Sequence, residues 1–537
     1  MPYPNRNPLA PLLVLLLVQP WQALSATHAQ DVVRLDTGLV RGVQLDPESS
    51  LRGYRGIPYA AAPIGELRWR PPQPMQPWEG VRPATEFGKV CPQSPLIAYL
   101  SGEALPETSE DCLFLNVLTC AVGDEERLPV LVWIHGGGFV GGWNQATCDG
   151  TALAERGVVF VSFNYRLGPL GFFAHPLLSK ESPEGVSGNY GLLDQLAVLR
   201  WVQRNIAAFG GDPDRVTIQG ESAGATSVLA LCASPLSKGL FQRAIAQSTW
   251  VTEKNFARLS DASRQSPGAE EQGAELAALL LGDAREAEHE PSLAALRALG
   301  ADDLWRTLGW SFQPVIAIDG WLLEDHPEQV FARGQQQAVA LIAGTTADEG
   351  TVFLDQFGWR TMDAFRRGLE ELYGPRAEDV LRSYPVSGEA DVEEQLARWI
   401  TDAWFVRGTR AMLRGMARVS APAWQYEFDR PSRTLPALGA HHAVEVPYVF
   451  GTLSGGTARD HELSNTMLDA WVQFARSGNP NAAGLPSWPR FELASEKYLI
   501  LGEQSSSGSR LHARGCDAVD GIVTESLAGE SAPQGEK

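Results

Sequence analysis

The run Gly220-Glu221-Ser222-Ala223-Gly224 constrains this chain more than any other stretch of it. Before it, Val216-Thr217-Ile218 is rich in β-branched residues and reads as a short buried strand. After it, Ala223 to Leu231 carries apolar residues at helical spacing. A Gly-x-Ser-x-Gly turn joining strand to helix holds its serine in a strained conformation at the top of a sheet, and small flanking residues let the backbones approach. Ser222 is the candidate nucleophile. In a chain with 53 glycines the pattern also arises by chance, so the surrounding segments decide its meaning.

Pro129 to Ile134 is an apolar strand run that empties directly into His135-Gly136-Gly137-Gly138-Phe139. Consecutive glycines after a strand let backbone N–H groups converge on one point, which suits an oxyanion hole. Alone, the same residues make a plain glycine-rich turn; with a Gly-x-Ser-x-Gly downstream, the functional reading dominates. Val158 to Phe163 is another apolar strand, and Leu192, Leu196, Leu199, Val202 and Ile206 recur at helical spacing until Gly210-Gly211-Asp212-Pro213 stops them. Phe241 to Gln247 supplies one more strand. This alternation of strands and helices predicts an α/β fold with a mostly parallel central sheet and helices on both faces.

Residues 1–29 have the pattern of an export signal: Arg6, an apolar run from Leu12 to Val18, and a cleavage site near Ala29. The apolar run is too short to span a bilayer, and no other segment reaches that length. The expected domain fills 30–503, with a helical insertion at about 251–309 whose clearest helix is Ala274 to Leu281. Residues 504–537, rich in Ser, Gly and Glu, are expected to be a partly disordered tail. A net charge of -20 and a pI near 5.0 would repel nucleic acid and anionic membrane, so neither is an expected partner. Six cysteines fit an exported protein, periplasmic or extracellular, without forming a dense framework; Cys91 and Cys112 bracket a stretch they could close. No cysteine spacing resembles a zinc site, and no metal or cofactor is expected.

A serine nucleophile needs a base, and the base needs an acid to hold its tautomer. On the α/β-hydrolase fold the chain order is Ser, acid, His, because successive strands present their carboxyl-end loops in turn. Asp348-Glu349 is the acidic pair that follows an apolar strand in this way, after Ala338 to Ala343. Beyond it stand His441, His442, His461 and His512. His461 is expected to help start an amphipathic helix, and His512 falls in the expected tail. The His441-His442 pair, in a Gly/Ala loop after the strand at Trp424, is the better site.

The blocks Arg55-Gly-Ile-Pro-Tyr59, Glu110-Asp-Cys-Leu-Phe-Leu-Asn-Val117, Asn164-Tyr-Arg-Leu-Gly168 and Gly188-Asn-Tyr-Gly-Leu-Leu-Asp-Gln195 stand in order with the motifs above. With Ala244 to Ser248, Asp348-Glu-Gly350 and His442 to Gly451 they resemble the type-B carboxylesterases, the cholinesterase-like branch of the α/β-hydrolases. The resemblance spans roughly 31–520. It implies ester hydrolysis through an acyl-enzyme on Ser222, His442 and Glu349, with Gly137, Gly138 and Ala223 as the oxyanion donors. It also implies a Cys91–Cys112 bridge and a small-molecule ester as substrate. Two departures argue against choline esters: Pro92 to Asp111 has no tryptophan to hold a quaternary ammonium, and Val352 stands where such enzymes carry an aromatic. Cys516 resembles a cysteine whose partner is expected near 395–410, where this chain has none; Cys120, Cys148 and Cys232 are also unassigned. Trp250 borders the acyl side or packs in the core. A lipase and a non-catalytic binding protein are the alternatives on the same fold.

Overall fold

The computed structural model describes residues 31–144, 148–252, 254–260, 267–281, 292–308 and 312–530. The expected leader lies outside them. In chain order the central sheet is built from β1 (Val43–Gln44), β2 (Arg52–Pro58), β3 (Phe114–Thr119), β4 (Leu128–Ile134), β5 (Val159–Phe163) and β6 (Gly211–Glu221). It continues with β7 (Arg243–Gln247), β8 (Ala340–Thr346), β9 (Ala423–Phe428), β10 (Lys497–Leu501) and β11 (Ser506–Ser509). Across the sheet the order is β11-β10-β9-β8-β7-β6-β4-β5-β3-β2-β1. Successive pairings from β10 to β5 are parallel, and the pairings at both edges are antiparallel. This is the α/β-hydrolase arrangement.

Central strands covered on both faces read as continuous apolar runs, and the structure separates the two faces by alternation. Val130, Val132 and Ile134 of β4 join one buried cluster with Val216, Ile218, Ala244 and Leu341; Leu131 and Trp133 join the other with Ile245, Ile342 and Tyr426. The first face is covered by α1 (Tyr190–Asn205) through Leu192, Leu196, Leu199 and Val202, by α2 (Ala223–Ala233), and by α3 (Arg407–Arg418) through Met412, Leu413 and Met416. The second is covered by α4 (Ala458–Ser477) through Leu463, Met467, Trp471 and Phe474.

Three expectations need correction. The segment 504–537 is not a loose tail over its described part: β11 pairs antiparallel with β10, and α5 (Ala513–Glu530) follows. Its anchors are few but buried, with Leu511 and Cys516 against Val406 and Val519 against Tyr373, Val380 and Trp399. The insertion carries helices at Ala269–Leu281, Leu293–Ala298 and Ala301–Leu308, but also a strand, Phe256–Arg258, paired with Ile316–Ile318. His461 does not start α4. Thr457 does, with Asp460 N donating to Thr457 Oγ1 at 3.2 Å and Thr457 N donating to Asp460 at 2.7 Å, a capping box.

Cys91 and Cys112 are disulfide-bonded, while Cys120, Cys232 and Cys516 are not in disulfides. Among the described residues, no helix is long and apolar enough to cross a membrane, and no cluster of side chains would hold a metal ion.

Candidate active site

Strand β6 ends at Glu221, and α2 begins at Ala223, so Ser222 is the hinge of the turn. Its backbone sits at φ 57 and ψ -122, a conformation a side-chain-bearing residue adopts only under constraint from its surroundings. The constraint is the close approach of two backbones. A Cβ at Gly220 would lie 2.4 Å from the Gly224 carbonyl carbon, and one at Gly224 would lie 2.1 Å from Ile134 O. Glycine at both positions is therefore required by packing.

The loop after β4 folds against this turn. A Cβ on Gly136 would lie 3.1 Å from Ser222 Cβ, which puts the start of the glycine run beside the serine. Gly137 at φ 99 and Gly138 at φ 62 use the left-handed backbone region that favours glycine. Among the described residues, neither of their N–H groups meets an acceptor, while Gly137 O takes hydrogen bonds from Val140 and Gly141. The Ala223 N–H belongs to the first turn of α2, where no intrahelical acceptor exists. Behind the loop, the His135 ring stacks on Tyr165 at 4.3 Å, and Tyr165 Oη donates to His135 O at 2.8 Å. Burial pushes His135 down to about 4, so it is a neutral strut.

β8 delivers Glu349 and the loop after β9 delivers His442. His442 Nδ1 lies 2.5 Å from Glu349 Oε2, and Glu349 Oε1 accepts from Thr346 N at 2.8 Å. Glu349 is fully buried. The neighbouring Asp348 is bonded elsewhere. Its Oδ2 accepts from Ala440 N at 2.8 Å, and its N–H donates to Ala440 O, which pins the histidine loop to the acid loop. His441 Nδ1 is instead 2.8 Å from the carbonyl of His442.

Sequence reasoning missed the other partners of His442. Its Nε2 lies 3.2 Å from Glu221 Oε1, and the rings of Phe405 and Phe353 pack on it at 4.7 and 5.1 Å. Glu221 stood in plain view as the residue before the serine, but a variable position in a motif carries no signal of its own. Glu445 forms a third buried carboxyl, its Oε1 accepting from Gln247 at 3.1 Å. Burial and mutual repulsion push Glu221 and Glu445 up out of the usual carboxylate range. Burial opposes a charge on His442, but the carboxylates of Glu221 and Glu349 outweigh it and push the imidazole up to about 9. Trp250 touches two of the apolar clusters, and its carbonyl accepts from Thr226 Oγ1 at 2.6 Å. Val352 is exposed.

A strained serine, a glycine loop whose Gly137 and Gly138 amides meet no acceptor among the described residues, and a part-buried histidine bonded to a buried carboxylate thus stand on an α/β-hydrolase sheet, an arrangement suited to hydrolysis. The model of the carboxylesterase family matches residues 29–519. The chain is 40% identical over 493 residues to the fumonisin B1 esterase of Sphingopyxis macrogoltabida, covering 88% of this chain and 87% of that one. It is 38% identical to the para-nitrobenzyl esterase of Bacillus subtilis, covering 89% and 96%. Among solved structures, a PNB esterase superposes with a TM-score of 0.79 at 34% identity over 91% of this chain and 99% of that one. A carboxylesterase from Geobacillus stearothermophilus gives 0.77 at 33% identity, with the same coverage. The chain belongs to the carboxylesterase family and is a carboxylic ester hydrolase acting on small-molecule esters.

Proposed function

We propose that this esterase works through an acyl-enzyme on Ser222, with His442 as base and Glu349 as its orienting acid. The observation that carries the reading is the 2.5 Å contact of His442 Nδ1 with the buried Glu349, together with a serine held at φ 57 next to Glu221, which lies 3.2 Å from His442 Nε2. Glu349 keeps the Nδ1 proton in place, so Nε2 is the atom that takes the proton from Ser222 as it attacks the ester carbonyl. The tetrahedral oxyanion is received by the N–H groups of Gly137, Gly138 and Ala223. Collapse expels the alcohol, protonated by His442; a water activated by the same histidine then releases the acid.

The pH–rate profile tests the assigned base. A protonated imidazole cannot accept a proton, so kcat/KM falls on the acid side as His442 charges. Because Glu221 and His442 interact, the midpoint belongs to the pair. Removing the Glu221 charge takes away one of the carboxylates that favour the imidazolium. Glu221→Gln therefore moves the acid limb to lower pH, by about one unit. A limb that stays put or moves upward contradicts this electrostatic account, and a rate flat to strongly acid pH contradicts His442 as base.

For substrate class, the reading is a soluble ester with no preference for choline, with Phe353 and Phe405 forming an apolar wall beside His442. Among the described residues of the insertion, Leu279 is the one large apolar side chain left exposed, which argues against a lipase lid. Across p-nitrophenyl esters of rising chain length, hydrolysis is expected to follow dissolved substrate. A jump in rate above the solubility limit would favour the lipase alternative instead. The Cys91–Cys112 bridge suits an oxidising compartment and supports the exported location read from residues 1–29.

A further inference from the structure

His512 makes a second histidine–carboxylate couple, on the far side of the wall that faces His442. Its Nδ1 lies 2.5 Å from Asp402 Oδ1, and its Nε2 lies 3.5 Å from Glu427 Oε1. Asp402 belongs to Thr401–Val406, a π-helical turn between the helix Val392–Ile400 and α3. Such turns are frequent at functional sites.

One side of this turn reaches the active site at two points and the segment after Trp250 at a third. Phe405 packs on the His442 ring at 4.7 Å and stacks on Phe353 at 5.4 Å. Thr401 Oγ1 accepts from Gly350 N at 2.9 Å, one residue past Glu349. Trp404 O accepts from Val251 N at 2.9 Å. The opposite side is gripped by the C-terminal segment and by Tyr384. Besides His512, Tyr384 Oη donates to Asp402 Oδ2 at 2.8 Å, and Cys516 Sγ lies 3.8 Å from Asp402 O. A Cβ at Gly515 would fall 1.9 Å from Asp402 Oδ2, so α5 reaches the turn only because that residue is glycine.

A buried carboxylate is stable only with a partner charge, and breaking such a pair leaves an uncompensated ion. Asp402 is buried, and among the described residues His512 is the cation paired with it. We propose that the His512–Asp402 ion pair is a clamp that fixes the Thr401–Val406 turn, and through Phe405 positions His442 for catalysis. His512 is a positioning residue, remote from the reacting atoms. This rests on the reading of Ser222, His442 and Glu349 above.

The groups that meet His512 are Asp402 on the turn and Glu427 on β9; Tyr384, after Ala377–Leu381, and Cys516 of α5 reach the same Asp402, and Tyr498 on β10 lies beside Glu427. Arg410 of α3 borders Cys516 but is engaged by Glu496 and Asp517. Burial opposes a charge on His512; hydrogen bonds to Asp402 and Glu427 outweigh it and push it up to about 10. The clamp is therefore closed through neutral pH and opens only as pH rises through that value.

The test compares wild type with His512→Gln, which removes the charge, and His512→Arg, which keeps it. Thermal unfolding checks folding, and kcat and KM are read on acetyl through octanoyl p-nitrophenyl esters. His512→Gln should lose roughly tenfold in kcat/KM, mainly in kcat and with an altered chain-length profile, since small misplacement of reacting groups is costly. His512→Arg should recover to within about threefold, because a charged hydrogen bond to Asp402 is restored. A folded His512→Gln with wild-type kcat/KM and profile overturns the clamp, as does a His512→Arg no better than Gln. If His512→Gln does not fold, the alkaline limb decides. Wild type should lose activity reversibly above about pH 9 while His512→Arg does not; identical limbs overturn the proposal. Organophosphate labelling of Ser222 in wild type keeps the two readings apart. Labelling intact with unaltered His512→Gln kinetics removes the clamp alone.

Discussion

Ser222→Ala should abolish ester hydrolysis while leaving the protein folded, with a loss in kcat on the order of 10⁵ to 10⁶. The variant lacks the only atom that can form the acyl bond in this scheme, and the oxyanion amides alone lower the barrier modestly. The fold should tolerate the change. Ser222 caps no amide of α2, and alanine carries the same backbone penalty at φ 57 that serine already bears. Substrate should still bind, so KM for residual turnover should stay near wild type. A Ser222→Ala enzyme retaining more than about a hundredth of wild-type kcat would mean that another group forms the intermediate or that water attacks directly.

Glu349→Gln should be nearly as damaging, with a loss of about 10³ to 10⁴ in kcat at neutral pH. Glutamine keeps the shape and can still accept from Thr346 N through its carbonyl. What it cannot do is balance the imidazolium that forms as Ser222 attacks. Nor can its amide end accept the Nδ1 proton, so the ring is driven into the wrong tautomer. The neighbouring acid supplies an internal control. Asp348 accepts the Ala440 N–H, a bond an asparagine carbonyl can replace, so Asp348→Asn should cost less than about tenfold. The reverse ranking of the two variants would reassign the acid.

Much of this architecture was legible because the informative residues are contiguous. Val216 to Gly224 spells strand, sharp turn and helix in one stretch, and Pro129 to Phe139 spells strand and glycine loop in another. The residues around the histidine were less legible. Asp348 or Glu349, and His441 or His442, are not separated by periodicity or spacing; family resemblance chose between them, and the structure shows different bonds for each member of both pairs. Glu221, Phe353 and Phe405 meet at His442 from three separate segments, and no local pattern marks such a convergence.

The C-terminal segment failed for another reason. Its composition is that of a disordered tail, because it buries little apolar surface and is held by Leu511, Cys516 and Val519 together with ion pairs. Asp517 meets Arg410 and Arg414, and Asp520 meets Arg414. Ion pairs between segments so far apart in the chain leave no periodic trace. For the same reason His512 read as part of the tail, when its partners are Asp402 and Glu427.

The most direct measurement of the central claim is covalent labelling. Purified protein is incubated with an organophosphate, its mass is measured intact, the adduct is mapped by peptide, and hydrolysis of a short p-nitrophenyl ester is followed in parallel. The account predicts one adduct per chain, on Ser222, with activity lost in proportion to labelling and no labelling of Ser222→Ala. Turnover that survives full labelling, or an adduct on any other residue that tracks the loss of activity, would contradict it.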